Sequence, residues 1–149
     1  MRLRILIGMI VIAVITVCSA TKKVYVDGWY TISGTNRIAS EPFLTVQDFA
    51  ELRLDSTLGP DGRMIYVMIG RVQRDKVKLW ADVTEKSIGK SIAFVFENQI
   101  ITRPMVNARI ESGTFSISLS PDSQADIKRI FQKLSEEIEN NKQHTTSVP

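Results

Sequence analysis

The sequence predicts an α+β fold with a mostly antiparallel sheet and helices packed on one of its faces. Three observations lead there. Apolar runs of strand length recur, separated by Gly, Pro, Asn and Asp. Two later stretches switch to apolar positions three and four residues apart, the period of a helix with one buried face. These helical stretches are separated by strand pairs with short turns, rather than alternating with single strands as a parallel sheet requires.

The elements follow in order. VYVDGWYTI (Val24–Ile32) is β-rich between polar flanks and reads as a first strand, and SGTNR (Ser33–Arg37) turns it. Within EPFLTVQDFAEL, Thr45 and Asp48 have capping-box spacing, while Leu44 and Phe49 hold the two positions of a hydrophobic staple. A short helix is therefore predicted from Val46. Leu52–Leu58 alternates apolar and polar residues as a half-buried strand, and GPDGR (Gly59–Arg63) turns it. Met64–Gly70 is almost continuously apolar, which predicts a central strand covered on both faces.

From Gln73 to Lys86, Val77, Trp80 and Val83 recur at helical spacing. IAFVFE (Ile92–Glu97) is a buried strand, Asn98-Gln99 a turn, and Ile100–Thr102 a returning strand closed by Arg103-Pro104. Thr114–Ser120 puts Phe115, Ile117 and Leu119 on one face. Ser120 is then a natural N-cap, Pro121 suits the first helical position, and Asp122 favours the positive end of the helix. Ile127, Ile130, Phe131, Leu134 and Ile138 form one apolar stripe, predicting a helix to about Asn140. The expected architecture is a sandwich of the ferredoxin-like type. It divides into a signal segment at residues 1–20, one domain at 21–139 and a disordered polar tail at 140–149.

The first twenty residues have a basic start (Arg2, Arg4), an apolar run from Ile5 to Val17, and small residues Cys18, Ser19 and Ala20. This is the pattern of a secretory signal. The run is short for a bilayer span of about 20 residues. Three fates are open: cleavage after Ala20, lipid attachment at Cys18, or retention as a signal anchor. Val17 stands where lipidation signals usually carry a small residue. Each fate exports the body of the chain.

Removing Arg2 and Arg4 from the 19 Lys and Arg leaves 17 against 16 Asp and Glu. The basic balance thus belongs to the signal. No basic cluster with exposed aromatics marks a nucleic-acid partner, and GRVQRDKVK (Gly70–Lys78) reads as the solvated face of a helix.

Cys18 is the single cysteine and His144, in the expected tail, the single histidine. Nucleophile–base arrangements and Cys/His metal sites therefore lack their parts. GKS (Gly89–Ser91) lacks the upstream Gly of a phosphate loop and precedes a strand, so it reads as a turn. Asp75, Asp82 and Glu85 share a predicted helix and read as solvated surface. Trp29, Tyr30 and Trp80 are candidates for a ligand groove, with core packing as the alternative. No catalytic residue, cofactor or metal is predicted.

Four segments together resemble the head subdomain of the first periplasmic domain of SecD protein-export subunits. EPFLTVQDFAELRL (Glu41–Leu54) looks like that family's extended run into a helix and strand. MIYVMIGRVQRDKVKLWADVT (Met64–Thr84) looks like its strand, break and helix. Residues 87–119 match best, through Gly89-Lys90, Ala93-Phe94-Val95, Asn98-Gln99, Pro104, Ile110 and Gly113. The helix from Pro121 corresponds to the family's closing helix, so the likeness covers about Glu41 to Ile138.

Gly89, Lys90, Pro104 and Gly113 are its fold signature, and none is catalytic. The family's membrane helices carry charged residues that couple proton flow to movement. Here the single near-spanning run holds no acid, so the resemblance implies the head subdomain alone. It further implies a non-enzymatic, exported module of the bacterial periplasm or cell envelope, with a polypeptide or envelope protein as partner. Membrane attachment would be through the N-terminus. The alternative is a structural or inhibitory envelope lipoprotein or anchored domain.

Overall fold

A computed structural model describes residues 23–34, 36–119 and 123–146. The predicted signal segment with Cys18, and the predicted cap Ser120-Pro121-Asp122, lie outside the described residues. The strands are β1 (Gly28–Thr31), β2 (Leu44–Thr45), β3 (Phe49–Leu58), β4 (Met64–Val72), β5 (Ile92–Phe96), β6 (Gln99–Thr102) and β7 (Thr114–Ser118). Helix α1 (Val77–Lys86) follows β4, and α2 (Gln124–Thr146) follows β7. The α+β class is the one the sequence predicts, and all the strand pairs are antiparallel. The strands divide between two sheets, ordered β2-β1-β5-β6 and β3-β4-β7.

Aromatic side chains join the two sheets into one core. Trp29 and Phe94 are register partners on β1 and β5, with ring centroids 5.2 Å apart. Phe115 of β7 lies 5.8 Å from Trp29 and 4.5 Å from Phe49. Trp80 of α1 closes the cluster, 5.6 Å from Trp29 and 5.9 Å from Phe115. Tilted and edge-on pairs of this kind add about 0.5–1.5 kcal/mol each beyond the area they bury. The second helix lays Ile127, Ile130, Leu134 and Ile138 across β3 and β4.

Four local expectations change. The helix predicted from Val46 is a single 3-10 turn, Val46–Asp48. Asp48 still accepts the Thr45 N–H at 2.8 Å, but the period of two beginning at Phe49 carries the chain straight into β3. The turn between β5 and β6 is Glu97-Asn98, one residue early, with φ of 49° and 61°. Positive φ at both positions is what a two-residue type I′ hairpin demands.

Strand β4 is central, yet only its inner positions Met68, Gly70 and Val72 are buried. The outer face of this sheet carries Glu51 and Arg71, paired at 2.9 Å, and meets solvent. Lastly, the expected disordered tail is helical as far as Thr146. Asn141 donates to the Gln47 carbonyl at 3.0 Å, so the extension is tied to the 3-10 turn.

Candidate functional site

Residues 103–113 cross between the sheets and are fixed at several points. Ile92 N–H donates to the Pro104 carbonyl (3.1 Å), Val106 N–H to the Lys90 carbonyl (2.9 Å), and Gly89 N–H to the Val106 carbonyl (2.9 Å). The Gly89-Lys90 turn and the segment after Pro104 are thus zipped together, although 15 positions separate Gly89 from Pro104. Gly89 and Gly113 have φ of 75° and 70°, a region that costs a β-carbon about 1–2 kcal/mol. At Gly113 a Cβ would also meet Val77 Cγ2 at 2.9 Å.

Helix α1 holds the other side of the crossing segment. Thr84, fully buried, donates to the Ala81 carbonyl at 3.0 Å and accepts the Ile110 N–H at 3.0 Å. Arg109 reaches Asp82 at 3.2 Å, Glu85 at 2.7 Å and Glu111 at 3.2 Å. Lys78 first, and Arg109 second, hold the Asp82 carboxyl below its usual range. Asp82 and Glu85 therefore clamp the segment to α1, which is structural work. Asp75 sits in the preceding 3-10 turn, Arg74–Lys76.

Between this segment and the core lies an apolar pocket of about 320 Å³. Trp29, Trp80, Ile92 and Phe115 reach its floor, while Pro104, Met105, Val106 and Ile110 border it. Met105 is 62% exposed and marks the mouth. The indole N–H groups of Trp29 and Trp80 are buried with no acceptor among the described residues. Leaving a buried donor unmatched costs about 1–3 kcal/mol.

The three aromatic groove candidates separate. Trp29 and Trp80 are core residues, each 1% exposed, whose edges floor the pocket. Tyr30 is fully buried on the opposite face of β1, because neighbouring strand residues point to opposite sides. Its hydroxyl donates to the Val26 carbonyl at 2.6 Å and its ring meets Tyr25 edge-on. His144 is exposed in the last turn of α2. Among the described residues no group of three His, Cys, Asp or Glu side chains is placed to hold a metal. No helix among them is long and apolar enough to cross a membrane.

Thr84, Arg109 and Met105 escape sequence reading. A signal existed for Thr84, which lies four residues after Trp80 and so on the same helix face. The buried face of α1 is accordingly Trp80, Ala81 and Thr84, rather than a stripe ending at Val83. Nothing local marks Met105, which matters only through what lies beneath it.

The family model described as SecDF, P1 head subdomain, matches residues 54–128. Protein translocase subunit SecD of Rhodothermus marinus is 32% identical over 74 residues, covering 46% of this chain and 12% of that protein. Two solved structures share the fold at a TM-score of 0.54 and 23% identity, covering 70% of this chain. One is described as a membrane component SecDF that enhances protein export, of which 44% is covered. The other is SecDF in a super-membrane-facing form, of which 13% is covered. The chain thus matches a minor part of each of these larger proteins. The family match spans half of the chain, and the chain belongs to the SecDF P1 head subdomain family.

Proposed function

We propose that this protein is a non-enzymatic module of the bacterial cell envelope that contacts polypeptide during protein export. Membership of the P1 head family points to export, and the apolar pocket beneath Met105 is the observation that carries polypeptide contact. A pocket of about 320 Å³ lies at the small end of ligand sites, room for one or two apolar side chains. Its floor is built from the aromatic side chains Trp29, Trp80 and Phe115. Apolar walls with few directional groups suit many sequences, as a factor that meets many exported chains requires.

The other route to peptide binding is strand addition at a sheet edge. The long free edge, β3, alternates Glu51, Arg53 and Asp55, a charge pattern that discourages added strands. The pocket is therefore the favoured site.

A photoreactive side chain placed at Met105, with a control at Arg63 outside the pocket, tests the reading in living cells. Adducts to exported polypeptides are expected from position 105 alone and should disappear when export is blocked. Equal adducts from both positions, or none from 105 beside a working control, would count decisively against it.

A further inference from the structure

A second concave surface lies on the outer side of the β2-β1-β5-β6 sheet, the side to which Tyr30 points. It has a volume of about 400 Å³ and is lined by Tyr25, Arg37, Ile38, Asn98, Ile100 and Arg103, among others. No carboxylate lines it. Neither Arg37 nor Arg103 has a carboxylate partner among the described residues, whereas Arg53, Arg71, Arg109 and Arg129 are all ion-paired. Asp27 and Glu41, each four positions from one of these cations, neither line the concavity nor ion-pair with them among the described residues, and Glu97 is engaged by Arg129 and Lys133 of α2.

Lys23 adds a third cation, its ammonium 4.9 Å from the centre of the Tyr25 ring. Tyr25 is itself tied to the hairpin turn by its N–H, donated to Asn98 Oδ1 at 2.9 Å. Ile38 and Ile100 line the concavity beside these charges, Ile100 being exposed. The result is a basic concavity fringed with apolar side chains, fixed to rigid β-structure.

Its place in the chain says what covers it. The apolar run Ile5–Val17 ends six positions before Lys23. Six extended residues reach at most about 20 Å. While that run is held in a membrane, Lys23 stays within about 20 Å of the headgroups, and Arg37 and Arg103 line the same concavity as the Tyr25 ring beside it. Fixed charges near an anionic surface act within a screening length of about 8–10 Å. Arginine suits phosphate because its planar fork donates two parallel hydrogen bonds.

We infer that Lys23, Arg37 and Arg103 form the face by which this domain lies on an anionic phospholipid surface. The Met105 pocket shares no lining residue with this face, whose role does not depend on what the pocket binds.

Amide hydrogen exchange on the full chain in lipid nanodiscs tests it. In discs with phosphatidylglycerol, exchange across residues 23–26, 36–38 and 98–103 should slow at least several-fold relative to pure phosphatidylcholine. Salt at 1 M, where the screening length is about 3 Å, should erase the difference. So should Arg37→Gln with Arg103→Gln, with exchange in α2 confirming that the fold persists. Equal exchange of the unaltered chain in the two discs overturns the inference and needs no variant. A difference that survives both substitutions, or equal protection by inorganic phosphate in phosphatidylcholine discs, overturns it as well.

Discussion

The Thr84 hydroxyl and the Ile110 backbone N–H are joined at 3.0 Å across the interface between α1 and the segment that borders the apolar pocket. The same hydroxyl donates back to Ala81, so one buried oxygen serves two backbone groups. The pocket wall is therefore held by a hydrogen bond made from inside the core. Arg109 repeats the attachment at the surface, where its ion pairs are half exposed and worth little individually.

Thr84→Val keeps shape and removes this bond, leaving the Ile110 N–H unmatched. A loss of about 1–3 kcal/mol is expected in urea unfolding. Exchange of the Ile110 amide should accelerate more than exchange in β5. Uniform acceleration of both would mean that the bond supports global stability and leaves the wall no more tightly held than the rest.

Gly70 is the register partner of Phe115, whose ring lies where a β-carbon on residue 70 would go. Gly70→Ala should destabilise by about 1–3 kcal/mol through overpacking. Adding Phe115→Leu should cost less than the sum of the two single changes, because the second substitution removes the obstacle. Simple additivity in equilibrium unfolding would contradict this account.

Trp80→Phe tests whether the indoles serve packing or binding. Shrinking the ring costs core contacts, so thermal stability should fall. It also deletes one unmatched N–H, which recovers part of the loss. The net cost should thus sit below the 3–5 kcal/mol expected for a Trp→Ala truncation. Crosslinking from position 105 should weaken at the same time. Full crosslinking in a folded Trp80→Phe protein would remove that indole from the binding role.

Burial raises the carboxyl pKa of both Asp27 and Glu137, and the charge of Asp27 raises Glu137 further. A raised carboxyl holds its proton more tightly folded than unfolded. Its contribution is therefore most favourable at low pH and is lost as pH rises from about 4 through the folded value. Asn at position 27 keeps an oxygen for the Glu97 N–H, which Asp27 Oδ1 now accepts at 2.8 Å, and removes the charge. Asp27→Asn should thus gain stability over the parent as pH climbs from 3 to 7, read from urea midpoints. Asp82 and Glu97 work in the opposite sense: their partners lower them, so what they contribute is lost on acidification. A pH-independent difference between Asp27→Asn and parent would argue against the burial effect.

Much of the fold was legible because local physics wrote it. The period of two in β7, the stripe Ile127–Ile138, and the all-apolar β5 are direct consequences of burying one face or both. Gly89 and Gly113, singled out through the resemblance, have positive φ that only glycine takes without strain. The extra turns of α2 were not legible, since Asn141 is held by Gln47, 94 positions away.

By itself, then, the sequence determined the class of fold and the likeness to the P1 head family. It also showed a chain with a single cysteine and a single histidine. Tertiary structure alone decided how the strands were shared between two sheets and which face of β1 each aromatic took. It brought Trp29, Trp80, Pro104 and Met105 around one pocket, and Arg37 and Arg103 around another. The physical reason is that periodicity records which side of an element is buried, not what buries it. A pocket is made of side chains far apart in sequence, and nothing in the neighbours of Met105 announces the two indoles beneath it.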